Sequence, residues 1–219
     1  MSATLQPFGL KPVYHPSGLD RAMQFAGTNS FVQGVSGYTA PYSLSSGQSF
    51  WQYQPVAITS SGQLTIAAAS STKVYGVFDG VEYTSAEGRR SVAKYAAKTT
   101  LDAATQIIFW IFTDKELIYE AQIQGSATAS SIGQEYNFST TTGYTTADGY
   151  AIGNGGAGFS TTALNATAVG TGNQGQVRVV GLGREVAFPA GQLNQWGDAY
   201  TIVQVQICNN TFAAPSVSV

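Results

Sequence analysis

Leu117, Tyr119, Ala121 and Ile123 alternate with Glu116, Ile118, Glu120, Gln122 and Gln124. A period of two places the first set on one side of an extended chain and the second set on the other, which is the pattern of a half-buried β-strand. It recurs within residues 200–208, where Val203, Val205 and Ile207 oppose Gln204 and Gln206. Residues 107–112 are apolar on both faces, so they are expected to form an interior strand, with Thr113-Asp114-Lys115 as a hairpin turn leading into the strand of residues 116–124. Further strands are expected at 49–56, with Trp51 and Tyr53 on one face and Gln52 and Gln54 on the other, at 64–67 after a turn at Gly62, and at 73–78 and 176–182. Helix formers gather only between residues 85 and 98, where 91–97 has room for two turns. Residues 136–175 are rich in Thr, Gly and Ala with little periodicity and include Gly153-Asn154-Gly155-Gly156, so they read as long loops with short strands. The expected fold is mainly β, a barrel or sandwich with long Gly/Thr-rich loops and less than about a fifth helix.

The first 30 residues differ from the rest. Pro7, Pro12 and Pro16 come at short intervals with Gly9 and Gly18 between them, and each proline removes a donor and fixes φ. Yet Phe8, Leu10, Val13, Tyr14 and Phe25 are apolar or aromatic and favour burial. The expected organisation is an extended N-terminal arm over residues 1–30 and a single β-rich body over 31–219. An arm with apolar anchors lies across something, either its own body or a neighbour.

Charge restricts the surface. Charged residues make up 10% of the chain, against roughly 25% in an average soluble protein. None lies between Arg21 and Lys73, only Asp148 lies between Glu135 and Arg178, and none follows Asp198. Such stretches make poor solvated faces and good subunit interfaces. With a net charge of −2 and only Arg89 and Arg90 adjacent as cations, the chain lacks the clustered cations that phosphate binding needs, and no nucleic-acid partner is expected. No apolar run approaches the ~20 residues of a membrane helix and no signal peptide is visible, so no membrane association is expected. Cys208 is the one cysteine. It excludes an internal disulfide and suits synthesis in a reducing cytoplasm.

The residues of common catalytic sites are scarce. His15 is the one histidine, between Tyr14 and Pro16. A metal centre wants several His, Cys or carboxylate ligands at set spacings, and a serine triad would need this same His, so His15 reads as a structural or surface residue. Two carboxylates can run glycoside hydrolysis, but Glu116 and Glu120 on one strand face stand roughly 13 Å apart, beyond either standard arrangement. Asp79 and Glu82 flank Gly80-Val81 and read as a turn. Gly181-Leu182-Gly183 lacks the third glycine of a dinucleotide fingerprint and reads as a β-turn. Cys208 ends a strand as an inert small residue. The expectation is no enzyme, no metal and no cofactor.

Several segments are similar to a known family. Pro7-Phe8-Gly9-Leu10-Lys11-Pro12-Val13 resembles the opening of a family of tailed-bacteriophage head proteins, the capsid decoration or cement proteins. Gly76-Val77-Phe78-Asp79-Gly80-Val81-Glu82-Tyr83-Thr84, followed by Gly88-Arg89-Arg90, resembles that family's central block. Gln176-Val177-Arg178-Val179-Val180-Gly181-Leu182, Trp196-Gly197-Asp198-Ala199-Tyr200 and 203–210 fit its final third in the same order. Lys94-Tyr95-Ala96-Ala97-Lys98 and Thr113-Asp114-Lys115 depart from its pattern. The resemblance implies a structural virion protein, a homotrimer on the outer face of an icosahedral head, made in the bacterial cytoplasm and bridging subunits of the major capsid protein. On that reading Phe8, Leu10, Val13, Tyr14 and Phe25 are the capsid contacts of the arm. Another virion component, such as a head fibre or tail protein, and a carbohydrate-binding module remain the alternatives.

Overall fold

Leu117, Tyr119, Ala121 and Ile123 are all buried, and so are Val203, Val205 and Ile207: both alternations face inward in the computed structural model. The structure describes residues 5, 7–18, 23–26, 40–67, 73–139, 160–184, 186–187 and 192–212, with the backbone alone at 23–26, 186–187 and 192. Gly153-Asn154-Gly155-Gly156 lies outside them.

In chain order the elements are β1 (Lys11–Tyr14), β2 (Met23–Ala26), β3 (Ser49–Trp51), β4 (Gln54–Ile58), β5 (Leu64–Ile66), β6 (Gly76–Thr84), β7 (Arg90–Ala93) and β8 (Tyr95–Ala97). A five-residue helix α1 (Lys98–Asp102) follows, then β9 (Thr105–Phe112), β10 (Ile118–Gln122), β11 (Glu135–Tyr136), β12 (Val177–Leu182), β13 (Val186–Ala187), β14 (Gln192–Leu193) and β15 (Ile202–Ile207). Strands hold 43% of the residues and helix 5%, inside the expected bound for helix.

Two antiparallel sheets form the body, and among the described residues no barrel closes. One has the order β1-β10-β15-β12-β11; the other has the order β2-β9-β6-β4-β5, with β7 also paired to β6. The second sheet is buried on both sides, and its strands show it by alternation. Val77, Ala57 and Phe112 point into a core shared with Tyr119, Val179 and Val205 of the five-stranded sheet and with Leu10, just ahead of β1. Phe78, Val56, Phe109 and Ile111 point the other way, into a second core with Phe50, Ala96 and Leu101 from β3, β8 and α1. Phe50 binds that core together, with its ring centroid 5.4 Å from Phe78 and 5.3 Å from Phe109.

Several sequence expectations are corrected here. Residues 91–97 form β7 and β8 rather than helix, because Ser91, Val92 and Ala93 pair with Tyr83, Glu82 and Val81 of β6, and sheet pairing overrides a weak propensity. Thr113-Asp114-Lys115 does not close a hairpin. β9 and β10 belong to different sheets, and this segment carries the chain across from one to the other. The run at 49–56 breaks into two strands of different sheets at Tyr53, whose φ of +65° turns the backbone, and Gln54 is buried with its side chain accepting the Trp51 N–H. Asp79 and Glu82 lie within β6, not in a turn; Asp79 sits where the β6–β9 register shifts between Phe78 and Gly80. Gly181 and Leu182 likewise lie within β12, beside a register shift after Val179.

Candidate functional site

The N-terminal segment lies on its own body. Leu10 is 1% exposed and belongs to the core between the sheets, so this expected contact residue is filled by its own chain. Phe8 and Val13 are half-buried, and Tyr14 is 55% exposed. Phe25 is on β2, where its backbone pairs with Phe109; its side chain is outside the described residues.

Glycine is required at the point where this segment docks. Gly9 has φ +79°, and a Cβ there would collide with the Tyr53 carbonyl oxygen and stand 2.7 Å from Ser160 Cβ. That close approach lets the Leu10 N–H donate to Tyr53 O at 2.8 Å and drops the leucine side chain between the sheets. Tyr53 is itself held, its N–H donating to Phe78 O at 2.8 Å. β1 then forms the edge of the five-stranded sheet, with Pro12, which has no N–H, and a register shift between Pro12 and Tyr14. Both features discourage a further strand from adding to that edge.

His15 follows. Its Nε2 is 2.9 Å from Asp114 Oδ2, and the Ser17 N–H donates to its Nδ1 at 3.0 Å. Since Nδ1 accepts, the ring proton of the neutral imidazole sits on Nε2 and is donated to Asp114. Asp114 Oδ1 accepts the Glu116 N–H at 2.8 Å. His15, Asp114 and Glu116 bring one donor atom each within 4.8 Å of one another, a proximity that 99 positions of separation hid in the sequence. A metal-bound imidazole donates its other ring N–H to an acceptor, whereas this ring receives a proton at that position.

Other candidate residues are also held by structural partners. Glu135 is fully buried, with Arg178 Nη2 at 2.6 Å, the Gly175 N–H at 2.7 Å and Gln174 Nε2 at 3.1 Å. The Cys208 thiol donates to Gly175 O at 3.3 Å; burial, reinforced by the Glu135 charge, pushes it up to about 12. Glu120 is buried and accepts the Arg184 N–H, while Glu116 is exposed, so the two share no cleft. The Tyr119 hydroxyl is buried with no hydrogen-bond partner among the described residues.

The ionic surface is concentrated. Residues 79–102 hold four of the ten basic and four of the twelve acidic residues, and these eight form four pairs: Lys94–Asp79, Arg90–Glu82, Arg89–Glu87 and Lys98–Asp102. They lie on β6, β7, α1 and their connections, where Val92 is also exposed, while exposed Leu5, Tyr14, Ile132, Val180, Leu193 and Phe212 lie elsewhere in the chain. Among the described residues no helix is long and apolar enough to cross a membrane.

No family model, curated protein or solved structure matches the chain. The resemblance of the 7–13 and 76–90 segments to phage head proteins therefore rests on those residues themselves.

Proposed function

We propose that this chain is a structural virion protein that decorates an icosahedral phage head, bridging major capsid subunits as a homotrimer. The observation that carries the reading is the distribution of charge. Four ion pairs gather on β6, β7, α1 and their connections, whereas six of the seven exposed large apolar side chains among the described residues lie outside residues 79–102, Val92 on β7 being the exception. A clamp needs that division, with one face wet and others committed to neighbours. Linked contacts to several subunits multiply modest affinities. The motif resemblance supports the same role. Of the five expected contacts, Leu10 is consumed by its own core and Tyr14 is exposed.

The test is addition of purified protein to undecorated heads. Saturable binding in multiples of three per site, with a trimer mass in sedimentation, supports the proposal. A monomer that leaves heads bare overturns it.

A further inference from the structure

We propose that Pro7–Gly18 and Met23–Ala26 act as one strap that laces the two sheets together and docks or releases as a unit, separately from the strands beneath it. The register carries the argument. Lys11 lies opposite Glu120 and Tyr14 opposite Ile118 in the five-stranded sheet. Met23 lies opposite Ile111 and Ala26 opposite Ile108 in the six-stranded sheet. Between these pairings, His15 is bonded to Asp114. The two pieces therefore run antiparallel to β10 and to β9 in turn, with a register offset between them and His15 on the crossover, and together they reach both sheets.

Its position is peripheral throughout. β1 and β2 are each the terminal strand of their sheet, so both can leave without breaking any other strand pairing. Among the described residues its fixings include Leu10 in the core with its N–H on Tyr53 O, the His15–Asp114 bond, and the two strand pairings. β9 and β10 keep β6 and β15 as partners when the strap is gone. Elements held at an edge by a few anchors open below the global unfolding free energy, as cooperative units.

The test is residue-resolved amide hydrogen exchange on the full chain and on Leu10→Ala. Losing the leucine anchor should speed exchange of β1 and β2 amides together by about 30-fold or more, the equivalent of truncating a buried leucine. Amides of β6, β12 and β15 should keep their protection. Because Leu10→Ala can fail to fold, His15→Gln, which weakens only the clasp, is measured beside it. Coupled loosening of β1 and β2 in either variant, with the other strands protected, supports the strap. Loosening of β1 with β2 unchanged, or equal loss across all strands in both variants, overturns it.

Discussion

Asp114 Oδ2 accepts the His15 Nε2 proton over 2.9 Å, joining the N-terminal segment to the crossover between the two sheets. The Asp114 carboxyl is held below its ordinary value of 3.8, chiefly by the Glu116 N–H, with partial burial opposing and His15 adding to the effect. A group whose folded value is depressed contributes stability that is complete above its unfolded value and is lost as pH falls through the folded one. The urea midpoint should therefore drop below about pH 4, and Asp114→Asn should flatten part of that drop. With 43% of its side chain exposed, solvent screening keeps the contribution under about 1 kcal/mol. Asp102, lowered by Lys98 and Tyr42 against an opposing burial effect, retains its own share in the variant. An unchanged acid profile in Asp114→Asn refutes this assignment.

Gly9→Ala should destabilise the protein by about 2–4 kcal/mol, combining a left-handed backbone with overpacking against Tyr53 and Ser160. Gly62→Ala provides the control: it has φ +76° but open space around its Cβ, so it should cost only the backbone part, about 1–2 kcal/mol. Denaturant melts of the two variants measure the difference, and equal losses would show that the Gly9 contact is not tight.

Cys208 should resist thiol reagents in the folded protein. A thiol pushed up to about 12 carries on the order of a thousandfold less thiolate at pH 8 than an ordinary cysteine. Maleimide labelling followed by mass spectrometry should be slow in buffer and fast in denaturant. Rapid labelling of the native protein contradicts the burial described for this thiol.

Tyr119→Phe should be neutral or stabilising by about 1 kcal/mol, unlike most core substitutions. The hydroxyl is buried with no partner among the described residues, and removing an unsatisfied polar group recovers its desolvation cost while the ring stays in place. A clear loss in thermal stability would show that the hydroxyl has a bonded partner.

The sequence revealed the strands through alternation, because burial on one face of a sheet leaves a period of two in the chain; residues 117–123 and 203–207 show it directly. It gave no sign of which strands share a sheet. The 113–115 segment has turn chemistry whether it closes a hairpin or crosses between layers, and only the pairing of β9 with β6 and β10 with β15 separates those outcomes. The strap was legible as an apolar segment broken by prolines, but its destination was not. Leu10 in its own core and Leu10 in a neighbour's present the same local sequence. Gly9 was the available signal, since a glycine between two apolar residues in an extended segment marks close backbone approach. The His15–Asp114 pair left no trace, because a separation of 99 residues has no period.

Tyr14 separates the strap's two possible roles, as a staple for its own sheets and as a contact for a neighbour. It stands at the end of β1 opposite Ile118, 55% exposed, on a strand already fixed by Leu10 on one side and His15 on the other. A tyrosine held this way loses little conformational freedom on docking, which makes it an efficient anchor. Tyr14→Ala should leave thermal stability within about 0.5 kcal/mol of the parent, as expected for a surface position. If the strap face meets the capsid, the same substitution should weaken binding to undecorated heads by about tenfold or more per contact, compounded where several contacts are linked. Leu10→Ala should behave in the opposite way, costing about 2–5 kcal/mol of stability, with head binding falling only as far as folded protein is lost. Melting curves and head-binding isotherms on both variants decide between these roles. Full head binding by a folded Tyr14→Ala protein assigns the strap to its own sheets alone and moves the contact surface to the other exposed apolar residues.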